Sequence, residues 1–118
     1  MVLHLVLFSP RPDLDEAGVD ALVSAFLRAA REIPTVRGVR IGRRARLGAS
    51  YETDAPGTAD YLAQIEFDSE EDLAAYLRHP SHADLGVEFG RALASAAVYD
   101  FVVTGIEGID ALRRWPRS

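Results

Sequence analysis

The sequence predicts a single α+β domain with the element order strand, helix, strand, strand, helix, strand. Apolar residues alternate with period two in some segments, and in others they recur at the three-and-four spacing of a helix. Prolines and glycines separate these segments, and a chain of 118 residues supports one hydrophobic core. Right-handed crossovers applied to this order give a four-stranded antiparallel sheet with both helices on one face.

The first strand is predicted from Val2 to Phe8 and is closed by two prolines, which cannot continue a strand ladder. His4 shares one face of this strand with Val6 and Phe8, while three leucines share the other. Because both faces are apolar, both must be covered in the folded protein.

The first helix is predicted to begin at Asp13 or Asp15 and to end after Ile33, where Pro34 stops it. Acidic residues near its start favour the positive end of the helix dipole. The residues expected to face the sheet are Val19, Leu22, Val23, Phe26, Leu27, Ala30 and Ile33.

The second strand is predicted from Val36 to Arg43 as an edge strand, and the third from Asp60 to Phe67. Tyr61 and Ala63 share the face of the third strand that also carries its larger apolar residues. Residues 45–59 lie between these strands with little periodicity, and we expect a long and flexible connection there.

The second helix is predicted to start at Ser69, which forms a capping-box pattern with Asp72. Pro80 lacks an amide hydrogen and disfavours helical geometry in the residue before it, so we expect the helix to break there. Ser81 is expected to cap a new start, from which a second helical half extends to about Ala97.

The last strand is predicted from Val98 to Val103, with Asp100 on the same face as Val98. Residues 1–104 form the predicted domain, and residues 105–118 form a C-terminal tail with a short helix. Its apolar stripe is Ile106, Ile109 and Leu112.

One layer of helices covers only one sheet face, yet several strands carry large apolar residues on both faces. A second copy of the chain is the simplest cover, so we predict a homodimer that packs sheet to sheet.

Composition narrows the possible functions. The net charge is −5 and the arginines are scattered among carboxylates, so no nucleic-acid partner is expected. No apolar run approaches the roughly 20 residues of a membrane span, no signal-peptide pattern opens the sequence, and the expected compartment is the cytoplasm. The absence of cysteine excludes disulfides, thiolate catalysis and cysteine-ligated metal sites.

The candidate chemistry lies in the stretch from Tyr76 to His82. A neutral His82 imidazole can remove a proton from a carbon between two carbonyl groups, with Asp100 accepting from its other ring nitrogen. The Tyr76 hydroxyl can stabilise the developing enolate charge. The alternatives are a solvent-exposed or backbone-bonded histidine at a helix start, and a tyrosine that packs its ring in the helix stripe.

The other two histidines have weaker cases. His79 is interpreted mainly as structural, capping the end of the first half-helix, and His4 as either a core histidine or a wall of the pocket. The three histidines and Asp100 together suit a zinc or iron site, but Pro80 turns His82 out of helical register with His79. We therefore predict no metal.

Five segments occur in the order that one protein family shows, and together they extend to about Val103. They are His4 within Val2–Phe8, Glu32–Val36, Phe67–Ser69, Tyr76–His82 and Val98–Phe101. The most specific is the His-Pro-x-His element that follows a Phe-x-Ser helix start. By these segments the sequence resembles the stress-responsive α/β-barrel domain (Dabb) family of the dimeric α+β barrel superfamily. The resemblance implies a ferredoxin-like βαββαβ unit that dimerises into a barrel.

The resemblance also implies a site. A plant polyketide cyclase of this family closes a linear poly-β-keto thioester by aldol condensation, and its catalytic tyrosine and histidine match Tyr76 and His82. Its other pocket positions match His4, His79 and Asp100. Two positions depart from it, because a pocket histidine corresponds to Tyr61 and a pocket tyrosine corresponds to Phe26. Phe26, Tyr61 and Ala63 are expected to contact the ligand, together with His4 and His79.

The function expected from this resemblance is binding of a hydrophobic, oxygenated small molecule and a cofactor-independent cyclase or lyase reaction. Two other classes stay open: a non-catalytic stress-related or structural protein, and a cofactor-free monooxygenase that uses the same cleft. Haem binding occurs elsewhere in the superfamily, but the sequence carries no specific sign of it.

Overall fold

The computed structural model describes residues 1–54 and 59–114, and its main strands and helices follow the predicted order. The elements are β1 (Val2–Pro10), α1 (Glu16–Glu32), β2 (Gly38–Arg43), α2 (Tyr51–Asp54), β3 (Tyr61–Phe67), α3 (Glu70–Arg78), α4 (Pro80–Ala92), β4 (Leu93–Val102) and a C-terminal 3-10 helix (Ile106–Arg114).

The four strands form one antiparallel sheet in the order β2-β3-β1-β4, which confirms the predicted α+β architecture. β1 lies in the interior and pairs with β3 on one side and β4 on the other. Its register places His4 opposite Ile65 of β3 and opposite Asp100 of β4. The face of β1 that carries His4 is buried beneath the helices, so the sheet presents His4 to the helical layer.

Helix α1 begins where the acidic residues indicated, because the Asp15 side chain accepts a hydrogen bond from the Gly18 amide at 2.8 Å. Its buried face is shifted from the predicted one. Leu22 and Ile33 are buried as expected, but alanines complete the contact, since Ala25 and Ala29 let the helix approach the sheet closely. Three residues predicted to face the sheet remain 44% to 49% exposed: Val19, Val23 and Leu27.

The predicted break at Pro80 is confirmed, and Pro80 is the first residue of α4. The predicted cap is wrong. His79 caps α4 with its side chain, since Nδ1 accepts a hydrogen bond from the Ser81 amide at 3.0 Å. Ser81 lies inside the helix, where its hydroxyl donates to Glu32 at 2.7 Å. His79 also ends α3 as expected, since its backbone N–H donates to the Tyr76 carbonyl at 3.1 Å. The same residue therefore caps both half-helices, the first with its backbone and the second with its side chain.

The second helix ends five residues before the predicted Ala97, because β4 already begins at Leu93. The alanines around residue 94 have a high helix propensity, so a helix is locally favourable there. However, the backbone of β1 needs a strand partner along its whole length. Pairing with β4 supplies it from Val2 to Pro10, with an irregularity between Ser9 and Pro10. β1 therefore also continues two residues past the predicted end.

The region predicted as a structureless connection contains the single turn of α2. Residues 55–58 of this connection lie outside the described residues, so its expected flexibility stays a prediction. The tail forms the 3-10 helix, and its apolar stripe of Ile106, Ile109 and Leu112 is exposed. Trp115 also lies outside the described residues.

The sheet face opposite the helices carries apolar side chains, as the sequence predicted. Leu3 lies across from Phe101, and Leu5 lies across from Tyr99. The leucines are only partly buried, and the two aromatic residues are 52% (Tyr99) and 49% (Phe101) exposed. In one chain this face is uncovered. Within the described ranges, no helix has the length and apolar character needed to cross a membrane.

Candidate active site

A cavity of about 350 Å³ lies between the helical layer and the β1 side of the sheet. Its polar groups are His4, Tyr76 and His82, and the rest of its wall is apolar. The full lining comprises His4, Val6, Phe26, Ile65, Tyr76, Leu77, His82, Leu85, Gly86, Phe89 and Val98. Such a site, mostly apolar with a few convergent polar groups, is the form that small-molecule sites usually take.

Three elements bring the polar groups together. His4 comes from the middle of β1, Tyr76 from the last turn of α3, and His82 from the first turn of α4. The ring centroids are 4.8 Å apart for Tyr76 and His82, 5.6 Å for His4 and Tyr76, and 6.5 Å for His4 and His82. Residues six apart on an uninterrupted helix point about 120° away from each other. The break at Pro80 removes that divergence, so both side chains face the same cavity.

Asp100 bonds to His4, whose Nδ1 lies 2.6 Å from the Asp100 carboxylate oxygen. This differs from the expectation that Asp100 orients His82. The reason is the sheet register, which places Asp100 directly opposite His4 on the neighbouring strand. The His4 side chain is 6% exposed and that of Asp100 is 45% exposed, so the pair bridges the cavity and the solvent. With Nδ1 committed to Asp100, His4 has Nε2 available to the cavity.

The surroundings of His82 favour the neutral imidazole. Burial lowers its pKa below the usual value of 6.5, and positive charge on His4 lowers the pKa further. The Leu77 backbone carbonyl acts in the opposite direction, because it favours a proton on the ring nitrogen that faces it. The second nitrogen is therefore unprotonated and is free to accept a proton.

Tyr76 is the most buried polar group of the cavity, at 2% exposure. Its ring packs on Phe67, with 5.1 Å between the centroids. Burial raises the pKa of its hydroxyl from 10.0 to about 12, so the group stays protonated and acts as a hydrogen-bond donor. The hydroxyl makes no hydrogen bond to another described residue, which leaves it available to a ligand oxygen.

The remaining residues proposed from the sequence are dispersed. Phe26 lines the cavity. Tyr61 stacks on Phe8 at 5.7 Å outside the cavity, Ala63 is fully buried beneath the helices, and His79 caps α4 without lining the cavity. Sequence reasoning did not single out Gly86, although it lies one helical turn after His82 and so shares its face of α4.

A second, more open apolar groove of about 630 Å³ lies between α1 and the β2–β3 side of the sheet. Phe26 lines both spaces, and it contacts Phe89 with 5.8 Å between the ring centroids. Phe8 contacts Phe89 at 6.1 Å, so three aromatic rings form the wall between the cavity and the groove. Three exposed residues of α1 that were predicted to face the sheet line this groove instead: Val19, Val23 and Leu27.

The described part of the chain holds no group of three or more histidine, aspartate or glutamate side chains arranged to bind a metal ion. His79 is directed to the Ser81 amide, and Asp100 is directed to His4.

Comparison with known proteins agrees with this architecture. Residues 2–103 match the model of a family described as the stress responsive A/B barrel domain. No functionally curated protein matches the sequence at a significant level.

Solved structures share the fold at low sequence identity. Protein At3g17210 from Arabidopsis thaliana has a TM-score of 0.74 and 19% identity over 90% of this chain and 98% of its own. A hydroxynitrile lyase from Passiflora edulis has a TM-score of 0.72 and 19% identity over 88% of this chain and 94% of its own. A dimeric ferredoxin-like protein of unknown function from Thermobifida fusca has a TM-score of 0.64 and 24% identity over 86% of this chain and 90% of its own. At such identities the likeness shows the fold alone.

Proposed function

The chain belongs to the stress-responsive A/B barrel domain family, and we propose that its cavity binds a hydrophobic, oxygenated small molecule and catalyses a cofactor-independent cyclase or lyase reaction. The observation that carries the proposal is the convergence of a neutral histidine and a protonated tyrosine on one apolar cavity. These two groups are His82 and Tyr76, with 4.8 Å between their ring centroids.

The reaction begins with proton removal from an acidic carbon of the substrate. His82 accepts this proton on its unprotonated ring nitrogen, and the Leu77 carbonyl stabilises the charge that the imidazole gains. Tyr76 donates its hydroxyl hydrogen bond to the carbonyl oxygen that takes up the enolate charge. The electron pair left on that carbon then attacks a second carbonyl group of the same substrate molecule. The alkoxide that forms takes the proton back from His82. The ring closes with one new carbon–carbon bond.

His4 and Asp100 have a supporting role in this proposal. The Asp100 carboxylate accepts from Nδ1 of His4 and fixes the ring, so that Nε2 points to the ligand. The apolar wall excludes water, which strengthens each of these polar contacts. A volume of about 350 Å³ suits a ligand at the small end of the usual range of roughly 300–1,000 Å³.

The proposed active form is a homodimer that buries the second sheet face. Support comes from the uncovered apolar strip that runs along β1 and β4, including Leu5, Tyr99 and Phe101. Solved structures with this fold from Thermobifida fusca and Bacteroides fragilis are described as dimeric. Sedimentation equilibrium at micromolar concentration measures this directly, and a monomeric mass would contradict it.

A panel of poly-β-keto thioesters of increasing chain length tests the reaction, with His82→Ala and Tyr76→Phe as variants. We expect His82→Ala to lower turnover by about 10²–10⁴-fold, the range for a general base. Tyr76→Phe is expected to lower it by about 10²-fold while the fold stays intact. Thermal unfolding of each variant is measured in parallel, so that a loss of activity is separated from a loss of folding. Absence of turnover by the wild-type protein across the panel would contradict the enzyme proposal.

A lyase acting on a cyanohydrin is the second candidate, and the likeness to the hydroxynitrile lyase from Passiflora edulis favours it. The same base would then take the hydroxyl proton while the carbon–carbon bond to the nitrile breaks, giving a carbonyl compound and cyanide. Adding a cyanohydrin to the panel separates this reaction from cyclisation, and oxygen uptake with each compound detects a monooxygenase. Saturable binding without turnover would favour the non-catalytic class.

A further inference from the structure

The C-terminal 3-10 helix and the groove beside α1 are two exposed apolar surfaces of similar length. The stripe of Ile106, Ile109 and Leu112 repeats every three residues, so in a helix with three residues per turn it forms one straight line. At about 2.0 Å per residue it is roughly 12 Å long. The groove edge is formed by Val19, Val23 and Leu27, and its two ends are eight helical steps apart, which is also roughly 12 Å.

The charges along the two surfaces run in the same order. The tail begins with Glu107 and ends with Arg114, while α1 carries Asp20 near its start and Arg31 near its end. All four side chains are exposed and make no ion pair within the described residues. Antiparallel docking therefore places Glu107 near Arg31 and Arg114 near Asp20. The spacings also agree, at about 14 Å along the tail and about 16 Å along α1.

The tail does not reach the groove of its own chain. It leaves β4 beside Val2, whereas the groove lies at the other end of β1, around Phe8 and Pro10. That distance is about 20 Å along the strand. In addition, α4 packs against α1 and stands between β4 and the groove. A second chain is not restricted in this way.

We propose that in the homodimer the segment Ile106–Arg114 of one chain docks antiparallel on the groove of the partner, along Val19, Val23 and Leu27. The inference rests on the proposed dimer, not on the proposed reaction. The docked tail would also affect the candidate active site, because Phe26 lines both the groove and the cavity. The tail of one chain thereby covers the outer side of the aromatic wall of the other chain's cavity.

Cysteine cross-linking tests the contact, since the chain contains no cysteine of its own. Chains with Ile109→Cys and chains with Val23→Cys are mixed, allowed to exchange subunits, oxidised and separated on a non-reducing gel. Val87→Cys replaces Val23→Cys in the matched control, because Val87 is an exposed valine on α4 outside the groove. We expect about tenfold more covalent dimer with Val23→Cys than with Val87→Cys, as the local concentration of a docked pair requires.

Two outcomes would overturn the docking proposal while leaving the dimer intact. One is equal or absent cross-linking in chains that sedimentation shows to be dimeric. The other is a disulfide within a single chain in the Ile109→Cys/Val23→Cys double variant, which would mean that the tail covers its own groove. A monomeric mass for all variants would overturn the dimer and this inference together. Pairing Leu112→Cys with Val19→Cys and with Leu27→Cys tests the direction, and the antiparallel arrangement requires preference for Val19→Cys.

Discussion

Tyr76 and His82 meet with 4.8 Å between their ring centroids, although they belong to two different helices separated by one residue. Pro80 makes this possible, because it ends α3, starts α4 and turns the second helix so that both side chains face His4. The cavity therefore depends on a local feature of the chain. Its chemistry depends on two protonation states, which are directly measurable.

The Tyr76 hydroxyl should ionise at a higher pH than an ordinary tyrosine. Its pKa is raised from 10.0 to about 12 by burial, so the tyrosinate absorbance of the wild-type protein minus that of Tyr76→Phe should show a midpoint near 12. Between these two values the unfolded chain loses the proton that the folded chain keeps, so the free energy of unfolding should fall as the pH rises above 10. Circular dichroism recorded in parallel identifies alkaline unfolding. A difference curve with a midpoint near 10 in folded protein would contradict the buried donor.

His82 should make the protein less stable in mild acid. Its pKa in the folded state lies below the unfolded value of 6.5, so in the interval between them the unfolded chain binds more protons. The stability contribution is complete above pH 6.5 and is lost as the pH falls through the folded pKa. Urea unfolding at pH 7.5 and pH 5.0 should show a smaller difference for His82→Gln than for the wild type. Equal differences would mean that His82 is not held neutral by the fold.

Gly86 offers a way to fill the cavity without disturbing the core. A β-carbon at Gly86 meets no atom within 4 Å, and the same holds for Gly90 on the same helix. Replacing either glycine with leucine should stabilise α4 by up to about 1 kcal/mol through helix propensity. Only Gly86→Leu should weaken ligand binding, since Gly90 does not line the cavity. Equal binding by both variants would place the ligand elsewhere.

His79 should matter for stability and not for the ligand. His79→Ala removes the cap of α4 and should cost about 1 kcal/mol of unfolding free energy, whereas His79→Asn should restore most of it because asparagine is a good cap. Urea unfolding measures both variants, and ligand titration is carried out where both are folded. If both lose affinity, His79 contacts the ligand, as the family resemblance implies.

Much of the fold could be predicted because local chemistry determines it. Asp15 and Ser69 cap helices as their residue types indicate, and the Pro80 break follows from the missing amide hydrogen. The end of the second helix was predicted wrongly because a long-range contact determines it. Leu93 and the alanines after it suit a helix locally, but the ladder with β1 is a long-range requirement that periodicity does not reveal.

The site could be predicted only where local sequence determines it. Tyr76 and His82 are close in sequence, so a single helix break is enough to bring them together. The partner of Asp100 depends on the register between β1 and β4, which places it opposite His4. The buried side of α1 was misjudged because hydrophobicity favours Val23 and Leu27, whereas close packing on the sheet favours alanine.

His82 is proposed to remove a proton from a carbon acid bound in this cavity. Proton NMR in deuterium oxide measures this directly, as the exchange of the protons between the two carbonyl groups of a β-keto thioester. The wild-type protein should accelerate the exchange above the buffer background by about 10²-fold or more, and His82→Gln should abolish the acceleration. Gly90→Leu, which leaves the cavity open, should retain it. Equal exchange rates for the wild type and His82→Gln, with both folded, would contradict this role of His82.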